Sequence, residues 1–292
     1  MDKRIAVLYG GFSSEREVSL KTGKAVYDAL LALGYEAYLI DVDRKVYEKI
    51  REVKPDYCFI ALHGKYGEDG TIQGLLEIMG IPYSGADHIS SVIAYDKHYS
   101  KLLAEKFGIL TPEYYLPDDE DDVRFTPCVI KPAREGSSIG VSIINEKSNF
   151  ADGYKLAKKY DSKILVERFI KGKELTVGIV NGEVLPVIWI KPKKGVYDYE
   201  SKYTKGLTEY LFETGLSKEE EDRLKEIALN FSKKIGCSGL CRIDFIFDGK
   251  DFYMLEINTI PGLTETSLLP KAAAKAGYSF NKLIDLIIGE FK

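Results

Sequence analysis

The stretch RIDFIFDGKDFYMLEINTIPG, residues 242–262, constrains the fold of this chain more than any other. Two apolar runs flank the turn DGKD, the pattern of a β-hairpin. Polar residues interrupt the runs at spacings of two: Arg242 and Asp244 on the first, Glu256 and Asn258 on the second. Side chains alternate along a strand, so each pair shares a face. If both pairs lie on the same face, Asp244 stands opposite Glu256, which requires an odd-length loop or a bulge. Two carboxylates about 5 Å apart repel by roughly 3 kcal/mol at an effective dielectric of about 20. Like charges directly opposite also weaken a sheet. A solvated face is the plain alternative, since many antiparallel hairpins are wet on one side. A dication would relieve the repulsion. Magnesium takes carboxylate and amide oxygens and shares its shell with phosphates, so phosphate-binding features are expected elsewhere.

The chain has 292 residues, enough for two or three domains around real cores. With 45% hydrophobic and 29% charged residues it reads as soluble and globular. The net charge of −4 comes from interspersed signs, and no basic stripe suggests nucleic acid. No apolar run approaches the ~20 residues of a membrane span. The chain opens directly on the strand-like KRIAVLYGG without a signal-peptide pattern, so a cytoplasmic location is expected. Cys58, Cys128, Cys237 and Cys241 form no C-x-x-C pair and are expected to be buried, reduced thiols.

Residues 1–88 alternate strand and helix: RIAVLYGG, the helix SSEREVSLKTGKAVYDALLALG, YEAYLIDV, a helix to about Glu52, YCFIAL, the loop HGKYGEDG, the helix TIQGLLEIMG and the short strand IPYSG. Such a βαβα series predicts a parallel sheet, with ligands beyond the carboxyl ends of its strands. Glu15 and His63 stand at those ends, although a helix-end carboxylate and a turn histidine are equally good local readings. The dinucleotide fingerprint G-x-G-x-x-G is absent. Residues 89–166 open on one long helix, SSVIAYDKHYSKLLAEKFG, followed by an acidic solvated loop, DDEDD, and by a strand–loop–strand unit containing KPAREGSSIG. Residues 167–292 are strand-rich, with a long aromatic loop over 194–214, a helix over 217–235, the opening hairpin and terminal helices. Loops as long as 194–214 are usually functional or disordered. The overall class is α/β, with an α+β C-terminal half.

KPAREGSSIG is a small-residue loop with Lys131 at its entrance. Backbone N–H groups of such loops can cradle phosphate and a lysine adds a point charge, though a plain hairpin turn fits the local pattern as well. Glu167 and Glu174 flank an apolar patch in LVERFIKGKELTV, where a nucleoside would find a slot and an acceptor for its hydroxyls; two surface glutamates are the alternative. Arg242 is a fixed cation on the face that carries the carboxylates, and Gly262 in NTIPG can bring its backbone N–H close to a ligand.

Seven motifs carry a family resemblance: YGGFSSEREVSL, ALHGKYGEDGTIQGLLEIMGIPYSG, DKHYSK, VIKPAREGSSIGV, YDYESKY, CRIDF and LEINTIPGLTETSL. In order and spacing they span nearly the whole chain, which resembles the D-alanine–D-alanine ligases of the ATP-grasp superfamily. The resemblance implies an ATP-grasp fold, with an N-terminal Rossmann-like substrate domain (1–88), a central subdomain (89–166) and a C-terminal subdomain (167–292), the latter two clasping ATP between antiparallel sheets. It implies Lys97, Lys131, Glu167, Phe169, Glu174 and Lys202 at the nucleotide, and Asp244, Glu256 and Asn258 as ligands of two magnesium ions, for which manganese can substitute. It implies Glu15 at the ammonium of the first D-alanine with His63 nearby, and Glu15, Ser137 and Tyr203 as a hydrogen-bonded set tying three loops shut. Arg242 and the Gly262 amide are implied at the developing oxyanion, and Ser267 and Leu268 at the carboxylate of the second D-alanine. It further implies a homodimer joined through the N-terminal domain and a role in peptidoglycan precursor synthesis. The lid is short and lacks an expected proline–alanine step, and Cys241 stands where a smaller residue is usual. Tyr203 resembles the residue associated with dipeptide rather than D-lactate products. The rival readings are a D-lactate or D-serine acceptor, a catalytically silent nucleotide-binding module and, against the missing dinucleotide fingerprint, a nicotinamide-dependent oxidoreductase.

Overall fold

A computed structural model describes residues 3–193, 207–237 and 239–289. The loop expected to carry Lys202 and Tyr203 lies largely outside them, and both residues with it.

The N-terminal part is a parallel three-stranded sheet. Strand β1 (Arg4–Tyr9) runs between β2 (Glu36–Asp41) and β3 (Tyr57–Ile60). Helices α1 (Arg16–Ala32), α2 (Val46–Val53) and α3 (Thr71–Met79) form its connections and flank. The expected fourth strand, IPYSG, reduces to a single parallel bridge between Cys58 and Tyr83. Alternate residues of β1 divide between two cores. Ala6 and Leu8 meet Ile40, Ile50 and Leu76, whereas Ile5 and Val7 meet α1 and the C-terminal helices α8 (Leu268–Lys275) and α9 (Phe280–Ile287). A strand buried on both faces needs this run of β-branched and apolar residues.

The one long helix expected over residues 90–108 is broken in two, α4 (His88–Tyr95) and α5 (Lys97–Lys106). Asp96 between them is extended, φ −86 and ψ 102, and ends the first helix while capping the second by accepting from the His98 N–H. The periodicity runs on through the break, but Asp favours a cap over a helix interior. Its carboxylate also accepts from Lys163 Nζ at 2.9 and 3.0 Å, which holds the kink in place.

A four-stranded antiparallel sheet follows in the order β4 (Tyr114–Tyr115), β7 (Ile164–Arg168), β5 (Cys128–Pro132), β6 (Ser142–Ile144), with α6 (Phe150–Lys158) against it. DDEDD is a loop, as expected. The last sheet is six-stranded. Its main path runs β11 (Thr208–Leu211), β10 (Ile188–Pro192), β8 (Lys173–Val180), β12 (Leu240–Phe247), β13 (Phe252–Asn258), and β9 (Glu183–Val184) pairs with β8. β11 corrects the expectation of loop through Thr214: residues 208–211 pair with β10 as an edge strand, too short for periodicity to reveal. Helix α7 (Lys218–Lys234), with a Ser217–Glu220 capping box, covers one face of this sheet through Leu224, Ala228 and Phe231. The opposite face carries Glu174 and Thr176 of β8, Arg242 and Asp244 of β12 and Glu256 and Asn258 of β13, while Val180 and Leu240 at one end of it join the core of the N-terminal sheet.

The hairpin holds the register that its pattern demanded. Arg242 pairs with Asn258 and Asp244 with Glu256, and the register slips between Asp244 and Phe245, where Phe245 pairs with Met254. Leu255 is the extra residue of this bulge. Met254 packs into the α7 core, yet Glu256, two residues on, lines a cleft on the other face. The four cysteines are buried and unpaired.

Candidate active site

Two clefts meet between the sheets. One, of about 620 Å³, lies between the four- and six-stranded sheets. Lys97, Lys131, Glu167, Phe169, Glu174, Asp244 and Glu256 line it, with Ile139, Ile170 and Ile246 supplying apolar walls. The other, of about 540 Å³, opens toward the N-terminal sheet and is lined by Glu15, His63, Ser137, Arg242, Asn258, Gly262, Ser267 and Leu268. Lys97, Glu135, Gly136 and Glu256 border both. Every sequence-predicted site residue among those described thus falls on one of the two clefts.

Glu15 sits at the N-cap of α1 but makes no side-chain bond to its own helix. Its carboxylate instead accepts from the Ser137 hydroxyl, 122 residues away. The KPAREGSSIG loop reaches it closely: a Cβ on Gly136 would lie 2.6 Å from the Glu15 carboxylate. Ser137 and Ser138 hold φ of 53 and 58, the left-handed region that side chains seldom adopt. Strain of this kind persists where surrounding contacts over-determine it, commonly at functional loops. Asp161 anchors the start of the loop, accepting from the Arg134 N–H at 2.9 Å, from its guanidinium at 2.6 and 3.1 Å and from the Lys163 N–H.

His63 is buried with both ring nitrogens engaged: Nε2 lies 3.0 Å from Thr22 Oγ1 and Nδ1 lies 3.5 Å from Glu68. Glu68, one polar residue among several in the HGKYGEDG loop and without a sequence signal of its own, also accepts from the Gly64 N–H. Lys97 is held at three points. Its N–H donates to Ala133 O, its ammonium donates to Glu135 O at 2.6 Å, and it pairs with Glu256 at 3.2 Å. Burial works against the Lys97 ammonium, but Glu256 outweighs it and raises Lys97 above its ordinary value. Glu135 lies above the ordinary carboxyl range because of burial first and the neighbouring Glu15 charge second.

The repulsion expected between Asp244 and Glu256 is relieved by protein cations. Arg242 donates to both Asp244 oxygens at 3.0 and 2.7 Å, and Lys97 takes Glu256. Thr176, on the neighbouring strand in register with Asp244, donates to the same carboxylate. The donor set is hard oxygen on one face, which suits magnesium in type. Among the described residues no group of three or more His, Cys, Asp and Glu could hold a metal ion, so a site here needs the Asn258 oxygen, which also accepts from the Ile260 N–H.

Beneath the larger cleft Glu167 is buried between two lysines, Lys131 at 2.8 Å and Lys101 at 2.9 Å. Burial favours the protonated acid, but both lysines together hold Glu167 below its ordinary value. Lys101 stands one turn from Lys97 on α5. Its sequence signal was present inside DKHYSK but indistinguishable from a surface lysine.

Two antiparallel sheets closing over a lysine-lined cleft, beside a parallel-sheet unit that brings in a second cleft, define an ATP-grasp fold. The D-ala D-ala ligase N-terminus family matches residues 44–86 and the D-ala D-ala ligase C-terminus family residues 112–289. A D-alanine–D-alanine ligase of Aquifex aeolicus is 50% identical, covering 98% of this chain and 99% of its own. The one of Syntrophotalea carbinolica is 47% identical over 98% of this chain and 95% of its own. Among solved structures, the Bacillus anthracis D-alanine–D-alanine ligase complexed with ATP superimposes with a TM-score of 0.85 at 36% identity, covering 98% and 96% of the two chains. The VanG D-Ala:D-Ser ligase of Enterococcus faecalis gives 0.84 at 29% identity over the whole of both chains. The chain belongs to the D-alanine–D-alanine ligase family.

Proposed function

We propose that this chain joins two D-alanines into D-alanyl-D-alanine, converting ATP to ADP and phosphate, for peptidoglycan precursor synthesis. The observation that carries the reading is the junction of the two clefts at Lys97 and Glu256, with Arg242 and Gly262 beside it on the smaller one. ATP occupies the larger cleft: Lys97 and Lys131 meet its phosphates, Phe169 and the isoleucines its base, and Glu167 and Glu174 its nucleoside. Lys202 joins them from the loop outside the described residues. Glu15, with His63 nearby, holds the ammonium of the first D-alanine. The carboxylate of that D-alanine attacks the γ-phosphorus, the bond to the bridging oxygen breaks, and ADP leaves with the electron pair. The amine of the second D-alanine, placed by Ser267 and Leu268 at its carboxylate, attacks the acyl carbon after losing a proton. Arg242 and the Gly262 N–H balance the oxyanion, which collapses and expels phosphate. Ser137, bonded to Glu15, together with Tyr203 closes the loops that keep water from the acyl phosphate. Asp244, Glu256 and Asn258 are the residues to hold magnesium, two ions in this reading, or manganese; such ions would neutralise charge on the transferring phosphoryl group.

No helix among the described residues is long and apolar enough to cross a membrane, and the reading places the enzyme in the cytoplasm. A homodimer is supported by Ile78 on α3 and Ile89 and Val92 on the adjacent α4, exposed at 88%, 68% and 40%. The divisions 1–88, 89–166 and 167–292 serve as its working units. Sedimentation velocity at micromolar concentration should give a species of twice the chain mass.

The test is phosphate release from ATP and Mg²⁺ with D-alanine, L-alanine or neither, alongside D-serine and D-lactate as second substrates. Release that requires D-alanine and is matched by dipeptide supports the reading. Preference for D-serine would reassign the acceptor to the type named for VanG. Release without any ligated product, or none at all, would sink it.

A further inference from the structure

Lys101 has no exposed side-chain surface and none of the roles above uses it. It rises from α5 under the floor of the larger cleft without lining it. Its ammonium lies 2.9 Å from Glu167 on β7, 3.1 Å from the Thr111 hydroxyl and 3.3 Å from the Met254 carbonyl on β13, with the Tyr114 ring at 5.8 Å. Glu256 acts on it from farther off and is itself taken by Lys97. Burial pushes the Lys101 ammonium down to about 8, so it remains charged at neutral pH.

The charge count around Glu167 is unusual for a buried cluster. One carboxylate meets two ammoniums, leaving one positive charge over, although a single pair would be neutral and an apolar residue in place of the second lysine would be cheaper to bury. The surplus has a direction, because Lys131 lines the cleft and Lys101 does not. With Lys131 alone, Glu167 would cancel the charge that an incoming phosphate meets. We propose that Lys101 is a positioning residue for the nucleotide: it shares the Glu167 carboxylate from beneath, so that the cluster keeps one net positive charge, presented to the phosphates by Lys131 on the cleft side. Its contacts to Thr111 and Met254 O fix it there and tie the central sheet to the strand that bears Glu256. The inference rests on the nucleotide reading of this cleft.

The test compares a polyanionic and an uncharged ligand of the same base. Dissociation constants of ADP with Mg²⁺ and of adenosine are measured on the full chain for the wild type, Lys101→Met, Lys101→Gln and Lys101→Arg. Removing the charge should weaken ADP about tenfold or more, since a net charge a few ångströms from phosphate is strongly felt. Adenosine should change by less than about twofold, and Lys101→Arg should keep most of the ADP affinity. A merely structural lysine would instead weaken both ligands alike, or neither, and either result overturns the proposal. Should Lys101→Met fail to fold, Lys101→Gln decides, because its amide can still meet Thr111 and Met254 O. A wild type that binds neither ligand would overturn the nucleotide reading itself, whereas a wild type that binds both while the variants bind ADP normally overturns only the role of Lys101.

Discussion

At the scale of single residues the site depends on close approach and on charge balance. Gly136 lies where a Cβ would enter the Glu15 carboxylate at 2.6 Å. Gly136→Ala should therefore displace either Glu15 or the loop by a fraction of an ångström to an ångström. The KM for D-alanine should rise by up to about 100-fold, the scale of an ångström-sized misplacement, with the melting temperature nearly unchanged. An unaltered KM would separate Glu15 from substrate binding. Glu256→Gln removes a proposed ligand and also the partner of Lys97. Turnover should fall, and the Mg²⁺ concentration at half-maximal rate should rise at least about tenfold, as loss of even an outer-shell partner can cause. A normal magnesium dependence would remove Glu256 from the metal set. The place of Asp244, Glu256 and Asn258 on one face, lining the clefts, was legible because alternation exposes a polar residue in an apolar strand. Lys101 and Glu68 were not, since one lysine on a helix and one glutamate in a polar loop look like solvated residues until their surroundings are known.

Among the elements, an irregular hairpin was legible from the demand that two polar pairs share a face, as either an odd-length loop or a bulge; that the irregularity is a bulge at Leu255, beside the four-residue turn 248–251, comes from the structure. The break at Asp96 was hidden because the apolar spacing continues across it. Yet the break sets the direction of α5 and so delivers Lys97 to the cleft border. The KPAREGSSIG loop depends on Asp161 in the same way. This carboxylate is nearly enclosed and bonded to Arg134 and Lys163. Burial opposes its ionisation, but the bonds to Arg134 and Lys163 prevail and hold Asp161 below the usual carboxyl range. A carboxyl depressed in the folded state contributes stability that is full above its unfolded value, near 3.8, and disappears as pH falls through the folded value. Asp161→Asn should cost about 1.5–3 kcal/mol at pH 7, the range for hydrogen bonds to a charged group. The difference from wild type should shrink as the pH falls below about 4. Urea titrations at pH 7 and pH 3 check both points, and an equal deficit at the two pH values would show that the charge of Asp161 is not what anchors the loop.

The molecule as a whole does not divide its cores where the sequence divides its motifs. The alternation of strand and helix over 1–88 reads as a self-contained parallel sheet. Yet one face of that sheet and helix α1 share a core with α8 and α9, more than 200 residues later, through Leu269, Leu283, Ile284 and Ile287. Periodicity reveals that a face is apolar, not which partner covers it, so this pairing was beyond the sequence. It matters for function because the cleft proposed to take the amino acids lies between these parts: Glu15 and His63 come from one and Ser267 and Leu268 from the other. Ile284→Ala opens a fully buried position and should lower stability by about 2–5 kcal/mol. The sole tryptophan, Trp189, stands on β10 in the six-stranded sheet. If the shared core couples the two parts, Trp189 fluorescence and far-ultraviolet circular dichroism should shift to the same lower urea midpoint in the variant. A fragment of residues 1–88, lacking α9, should show no cooperative transition. Independent folding of that fragment, or a Trp189 midpoint that stays at the wild-type value, would mean that the N-terminal sheet is merely docked on the rest and that its motion, rather than a fixed core, sets the width of the amino-acid cleft.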